Sequence, residues 1–132
     1  MYEHDVLVVG GGGAGLRAAI AAEEAGADVA IVSKLHPVRS HTGAAEGGIN
    51  AVLREGDEVE MHAYDTMKGS DYLADAPAVE TLVTESPKET IQLEHWGMPF
   101  SREEDGTVSQ RPFGGLSFAR TTYAGAETGH HL

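Results

Sequence analysis

The sequence predicts an α/β fold that opens on a β–α–β unit, and three observations carry that expectation. A short apolar run, Val6 to Val9, leads straight into a glycine-rich turn. A helical pattern then runs to Gly26, and a second apolar run, DVAIV, follows almost at once. The first run is the expected first strand. In the turn, Gly10, Gly12 and Gly15 occupy the GxGxxG positions. A side chain at Gly12 would keep the backbone away from a phosphate, and one at Gly15 would separate helix from strand. In the helix, Leu16, Ala19 and Ile20 fall on one side with Glu23 and Glu24 on another, and Gly26 suits its stop. The DVAIV run is the expected second, buried strand.

This order of elements is the site of a dinucleotide pyrophosphate in a Rossmann-like domain. Its residues are Gly10, Gly11, Gly12, Gly13, Ala14 and Gly15, at a helix N-terminus whose free N–H groups and dipole favour an anion without a lysine. One part of the usual fingerprint is absent. Where the second strand ends, Asp or Glu ordinarily meets the ribose hydroxyls, but Ser33 and Lys34 follow Val32. Serine can hydrogen-bond a hydroxyl or phosphate and lysine can pair with a phosphate, so the departure counts against NAD more than against a nucleotide.

From Leu35 to Asn50 the chain shows neither helical nor alternating periodicity, which predicts a working loop over the bound nucleotide at the carboxyl end of a strand. Gly47 and Gly48 would let backbone approach a flat ligand. Beyond the loop, Asp57 is expected to cap a helix through about Met67, and Asp75 with Pro77 to start another through Glu85. Ser86-Pro87-Lys88-Glu89 reads as a capping box opening a third helix that stops near Gly97. Val79, Leu82 and Val83 share a face of the second of these. His62, His95 and Trp96 sit at helical spacing and are read as packing residues rather than ligands. Asp105-Gly106 predicts a hairpin turn, and Arg111 to Gly115 is a further glycine-rich segment.

The 132 residues make one ordinary domain at most, and a doubly wound sheet needs more strands than they supply. The expectation is the N-terminal piece of a larger protein, with further domains absent. Neither a secretory signal nor an apolar stretch of membrane-spanning length is legible, which makes the cytoplasm the expected compartment. Zero cysteines exclude disulfides and thiolate metal sites, and no metal site is expected. With 21 acidic against 9 basic residues the net charge is −12, which argues against nucleic acid as a partner. The acidic excess reads either as a solvated surface or as adaptation to a salt-rich cytoplasm, where ions screen self-repulsion.

A histidine in a glycine-flanked loop over a nucleotide has an ordinary reading, a hydrogen-bond donor to phosphate or a solvated side chain. For His41 the surrounding words point further. SKLHPVRSHTGAAEGGINAVL resembles the loop of succinate dehydrogenase and fumarate reductase flavoprotein subunits, in which the histidine of the RSHT word is bonded to the 8α carbon of FAD. GGGGAGLRAAIAA, YDTMKGSDYLAD and WGMPFSREEDGTVSQRPFGG resemble further words of that family in the same order. The resemblance implies FAD bound covalently through His41. It places the pyrophosphate at Gly10 to Gly15, the adenosine side at Ser33 and Lys34, the flavin bond within Ser40, His41 and Thr42, and the isoalloxazine beside Ala45, Gly47 and Gly48. Glu46 and Phe113 resemble positions lining a dicarboxylate pocket.

The implied activity is oxidation of succinate to fumarate, with electrons passing to an iron–sulfur subunit and on through membrane anchor subunits at the inner face of the cell membrane. Family residues that grip the carboxylates and move the proton would lie beyond Leu132, so no catalytic residue is assigned here. An imidazole on the 8α position withdraws electrons and raises the flavin potential, as oxidation of succinate demands; the cofactor carries the redox chemistry and the protein tunes it. Gly43 and Glu46 depart from the Val and Gln common in succinate dehydrogenases, and RTTYAGAETG leans toward fumarate reductases, whereas SQRPFGG leans toward succinate dehydrogenases, so these words do not fix the direction of the reaction. The alternatives are a quinol:fumarate reductase flavoprotein, L-aspartate oxidase, which lacks the flavin-linking histidine, and a non-catalytic dinucleotide-binding module.

Overall fold

The computed structural model describes residues 2–132. They form two compact units, the first running to Glu46 and taking in Gly129–Leu132, the second Gly47–Thr128.

The first unit is built on β1 (Val6–Val9), α1 (Gly13–Glu24) and β2 (Val29–Val32). The two strands pair in parallel, Val6 with Val29 through Val9 with Val32. Asp28 ties the base of the sheet: its carbonyl accepts from Asp5 N–H and Val6 N–H, and its own N–H donates to Asp5 Oδ2 at 2.9 Å. At the top, Gly10 N–H donates to Val32 O. The predicted stop of α1 is realised as a Schellman motif. Gly26, at φ +87°, donates to Glu23 O while Ala27 donates to Ala22 O, so two end carbonyls are satisfied. The strands are less buried than expected. Val6 and Val8 are half-buried, whereas Leu7, Val9, Ile31 and Val32 are exposed. A parallel strand reads as continuously apolar because both sheet faces are normally covered, and among the described residues only the face toward α1 has a covering element. The stretch from Leu35 is not wholly irregular either. A single 3₁₀ turn spans Pro37–Arg39, nucleated by a proline whose φ is preset, and Ile49–Asn50 becomes strand β3 by pairing outside the loop.

In the second unit, β3 joins β4 (Gln110–Arg111) and β5 (Thr121–Thr122) in an antiparallel sheet of order β3-β5-β4. Met98, Phe100 and Ala124 form its core, packed by Ile49, Leu93 and Val108. Helices α2 (Val59–Gly69) and α3 (Ala76–His95) pack against each other. The expected boundary at Ser86-Pro87 does not exist: α3 is one helix of 20 residues with Pro87 inside it. Proline cannot donate to the carbonyl four residues back, Val83 O, and the buried Ser86 hydroxyl donates to that same carbonyl at 3.4 Å. The serine read as a cap thus repairs the gap. Of the predicted apolar face, Val79 and Val83 are buried but Leu82 is exposed. A second Schellman motif ends α3, through Gly97 on Glu94 O and Met98 on Leu93 O. The Asp105-Gly106 hairpin forms as read, with Gly106 at φ +86° and Asp105 Oδ1 accepting from Thr107 N–H at 2.9 Å.

Asp57 is not the cap of α2; Glu58 is. The Asp57 carboxylate is instead drawn to Arg120, accepting from Nε at 2.9 Å and Nη2 at 2.7 Å, while Asp65 accepts from Nη1 at 2.5 Å and from Ser117 N–H at 2.8 Å. All three charged side chains are buried, Arg120 completely. Burial pushes the Asp65 carboxyl up, but hydrogen bonds from Ser117 N–H, Arg120 and the Ser117 hydroxyl outweigh it and hold it below its ordinary value of 3.8. His62, buried on α2, is held below its ordinary 6.5 by burial first and Arg120 second, against the pull of Asp57 and Asp65.

The sign of the linkage follows. A histidine whose folded pKa is depressed binds its proton more readily in the unfolded chain, so its contribution is complete above pH 6.5 and is lost as pH falls below that value. The depressed carboxylate of Asp65 acts lower, its contribution being lost as pH falls through 3.8 and below. In the full-length protein, the urea midpoint of this unit, followed by hydrogen exchange of α2, is expected to fall between pH 7 and pH 5. His62→Leu should flatten that fall, and an unchanged profile in the variant would contradict the assignment.

Candidate functional site

In the first unit the chain leaves β1 at Gly10, at φ +121°, and enters α1 through Gly12, whose backbone is extended at φ −84° and ψ 179°. No side chain caps α1, and its first turn holds no acidic residue. Gly15 sits where β1 and α1 come closest. A Cβ there would lie 1.9 Å from Gly10 O and 3.4 Å from Val8 Cγ1, so the helix can approach the strand only because the side chain is missing. Gly13 N–H donates to Thr42 Oγ1 at 3.1 Å, while the N–H groups of Gly12, Ala14 and Gly15 take no acceptor among the described residues. The result is a helix N-terminus with open donors and no competing carboxylate in its first turn, and a pyrophosphate fits that donor set.

Three of the predicted residues, Ser33, Ser40 and Thr42, lie against this turn. A Cβ on Gly11 would meet Ser33 Oγ at 3.0 Å, and one on Gly12 would meet Thr42 Oγ1 at 3.4 Å and Ser40 Cβ at 3.8 Å. Ser33 Oγ donates to Leu35 O at 2.7 Å, which leaves its oxygen an acceptor. Lys34 is exposed at the end of β2.

Ser40 to Ala45 form a tight turn in which Ala44 N–H reaches Ser40 O and His41 O, Ala45 N–H donates to Thr42 O, and Ser40 Oγ accepts from Gly43 N–H at 3.2 Å. This turn presents the exposed ring of His41 one residue before the Thr42 hydroxyl that holds the start of α1. A Cβ on Gly43 would lie 2.7 Å from Val38 O, so this turn does not admit a side chain at that position without moving.

Gly129 was not picked out from the sequence. It is buried beneath this turn, donates to Ala45 O at 2.7 Å, and leaves no room for a Cβ, which would lie 1.9 Å from Thr42 O and 2.7 Å from Ala45 O. Its only sequence signal is its place in the TGH word, which does not reveal the contact. Gly129→Ala is expected to displace the His41 turn and to lower flavin content in the full-length protein at least tenfold, measured by flavin absorbance per polypeptide. Full occupancy would show that the turn tolerates the shift.

In the second unit, Gly47 and Gly48 lead into β3. Phe113, about half exposed, lies across Gly47, its Cζ 3.2 Å from where a Cβ would be. Gly48, at φ +121°, is pressed on Thr122, since a Cβ would come within 2.3 Å of its carbonyl oxygen. Arg111 Nη2 donates to Gly47 O at 2.8 Å, a contact the glycine-rich RPFGG word did not disclose. Glu46 ends the first unit as an exposed residue. His62 is a buried packing residue as read, and His95 and Trp96 lie exposed at the end of α3. Among the described residues no group of three His, Cys, Asp or Glu is placed to hold a metal, and no helix is long and apolar enough to cross a membrane.

Comparison with known proteins gives this geometry its family. The chain is 56% identical over 132 residues to the fumarate reductase flavoprotein subunit of Mycobacterium tuberculosis, covering 98% of this chain and 23% of that protein. It is 48% identical over 141 residues to the succinate dehydrogenase flavoprotein subunit of Rickettsia bellii, covering 99% of this chain and 24% of the relative. Among solved structures, a variant of the E. coli quinol fumarate reductase subunit FrdA matches with a TM-score of 0.92 at 48% identity, over 98% of this chain and 23% of that one. Mycobacterium smegmatis Sdh1 in complex with UQ1 matches with a TM-score of 0.92 at 41% identity, over 98% and 22% respectively. The chain therefore spans less than a quarter of the length of these relatives. The family described as FAD binding domain matches residues 5–132, almost the whole sequence. With its open α1 N-terminus and its glycine-mediated contact between helix and strand, this chain belongs to the FAD binding domain family.

Proposed function

We propose that this protein is the flavoprotein subunit of a succinate dehydrogenase, with FAD bonded to His41 and electrons passed to an iron–sulfur subunit. Gly10 to Gly15 bind the pyrophosphate through N–H groups and the α1 dipole. Ser33 and Lys34 serve the adenosine side. Ser40 and Thr42 flank the attachment point, and Ala45, Gly47 and Gly48 run beside the isoalloxazine. Glu46 and Phe113 face the dicarboxylate. When bound, FAD supplies two-electron chemistry at the C2–C3 bond of succinate. This chain's own residues bind and orient: the turn from Ser40 to Ala45 holds His41 next to the helix that carries the phosphates. Membrane anchor subunits place the assembly at the inner face of the membrane.

The observation that carries this reading is the bond from Gly13 N–H to Thr42 Oγ1, which sets the histidine-bearing turn against the phosphate-binding helix. A simple dinucleotide module has no need of that arrangement. The identity to the Mycobacterium tuberculosis fumarate reductase subunit favours a second reading of the same site, reduction of fumarate by quinol.

Peptide mass spectrometry of the full-length protein tests the proposal, and the peptide containing His41 is expected to carry the mass of FAD. An unmodified peptide from a protein that still holds flavin would move the assignment to the L-aspartate oxidase branch. A full-length protein without flavin, after growth with ample riboflavin, would remove the proposal altogether.

A further inference from the structure

Arg111 makes two contacts that a surface arginine of a short edge strand does not need. Its guanidinium lies 4.2 Å from the centre of the Tyr123 ring, well within cation–π range, and its Nη2 donates to Gly47 O at 2.8 Å. The platform beneath it is itself held. Tyr123 Oη lies 3.3 Å from Ser109 Oγ, and Ser109 Oγ donates to Glu103 Oε1 at 2.7 Å. On the far side of Gly47, Gly48 is pressed on the Thr122 carbonyl and the next residue, Ile49, accepts from Thr122 Oγ1 at 2.9 Å.

The peptide between Gly47 and Gly48 is therefore fixed at both ends. In a trans peptide the carbonyl and the following N–H point in opposite directions. With Gly47 O committed to Arg111, Gly48 N–H is turned away from the guanidinium, and among the described residues nothing accepts from it. Gly48 is a half-buried residue, and an N–H there without a protein acceptor is open to an acceptor from a bound ligand.

We propose that Arg111 is a positioning residue: it locks the Gly47–Gly48 peptide so that Gly48 N–H is offered to an electron-rich atom of the flavin ring. This rests on the FAD reading above. Reduction adds electron density to the ring, so a fixed donor and a nearby guanidinium charge both stabilise the reduced form more than the oxidised one. Planarity matters as well as charge, because a lysine ammonium cannot stack on Tyr123 and hold Gly47 O with one rigid group.

The test is a redox titration of the full-length flavin-loaded protein, followed by flavin absorbance, in wild type, Arg111→Met, Arg111→Lys and Tyr123→Leu. Arg111→Met is expected to shift the flavin toward its oxidised form about tenfold at fixed potential, equivalent to about 30 mV for a two-electron couple. Arg111→Lys should recover only part of that shift. Tyr123→Leu, which keeps the guanidinium and removes its platform, should move the equilibrium the same way by about threefold. An unshifted titration in the Met variant, or in the Leu variant if the Met protein does not fold, overturns the assignment. Full recovery by lysine also overturns it, because charge alone would then suffice. Flavin content of the wild type reports separately on the FAD reading, since a colourless wild type removes the site itself.

Discussion

Arg120→Leu is expected to destabilise the second unit by about 3–5 kcal/mol, the usual cost of removing one partner from a buried ion pair. The argument is desolvation. Asp57 and Asp65 are both buried, and Arg120, wholly buried, supplies three of their hydrogen bonds. Without the guanidinium, two carboxylates remain in a low-dielectric interior, and they must either stay unpaired or take up protons at a cost. The damage should spread along chain connections visible in the structure. Asp65 also holds Ser117 N–H and hydroxyl, and Arg120 O accepts from Ala51 N–H and from Gln110 Nε2. Urea denaturation of the full-length protein, read by hydrogen exchange over α2 and β5, checks this. A midpoint within error of wild type would mean that the triad contributes no more than an apolar replacement. The double variant Asp57→Asn with Arg120→Leu should recover part of the loss, because it removes one stranded charge.

Gly15→Ala is the second change with a large expected effect, and here the readout is cofactor. The added methyl would sit 1.9 Å from Gly10 O, a backbone atom that cannot rotate away, so α1 must lift from β1. Lifting the helix moves the N–H groups of Gly12 and Ala14 and breaks the bond from Gly13 N–H to Thr42 Oγ1. Flavin bound per polypeptide is expected to fall at least tenfold while far-ultraviolet circular dichroism stays close to wild type. Ala18→Ser is the control. Ala18 is exposed in the middle of α1, away from the pyrophosphate-binding turn, so flavin content should hold. Equal flavin content in Gly15→Ala and wild type would show that pyrophosphate binding does not depend on the close approach of helix to strand.

Much of the first unit was legible in the residues because its rules are local. Strand, glycine turn, helix and Gly26 stop each depend on neighbours a few positions away, and each formed where the pattern placed it. The hairpin at Asp105-Gly106 was readable for the same reason, since one residue must take a positive φ and the one before it accepts from the next backbone N–H. The stretch from Leu35 to Asn50 reads as a loop bearing His41, and Ser40 to Ala45 do lie outside helix and strand, but the tight turn they form had no signal in the sequence.

What local pattern could not reach is contact between residues far apart in the chain. Asp57 has the composition of a cap, yet its carboxylate meets the N–H of Glu58 and a guanidinium 63 positions away rather than the first turn of α2, because a buried arginine holds a carboxylate more strongly than a helix N–H does. Pro87 and Ser86 have the composition of a boundary, yet packing of α3 carries the helix through them, with the serine hydroxyl standing in for the missing N–H. Gly129 under the His41 turn, and Arg111 on Gly47 O, are likewise set by where distant segments meet. Propensity and spacing act over one or two turns of chain, whereas burial, charge pairing and steric fit act over ångströms of space, and only folding brings the second set of neighbours together.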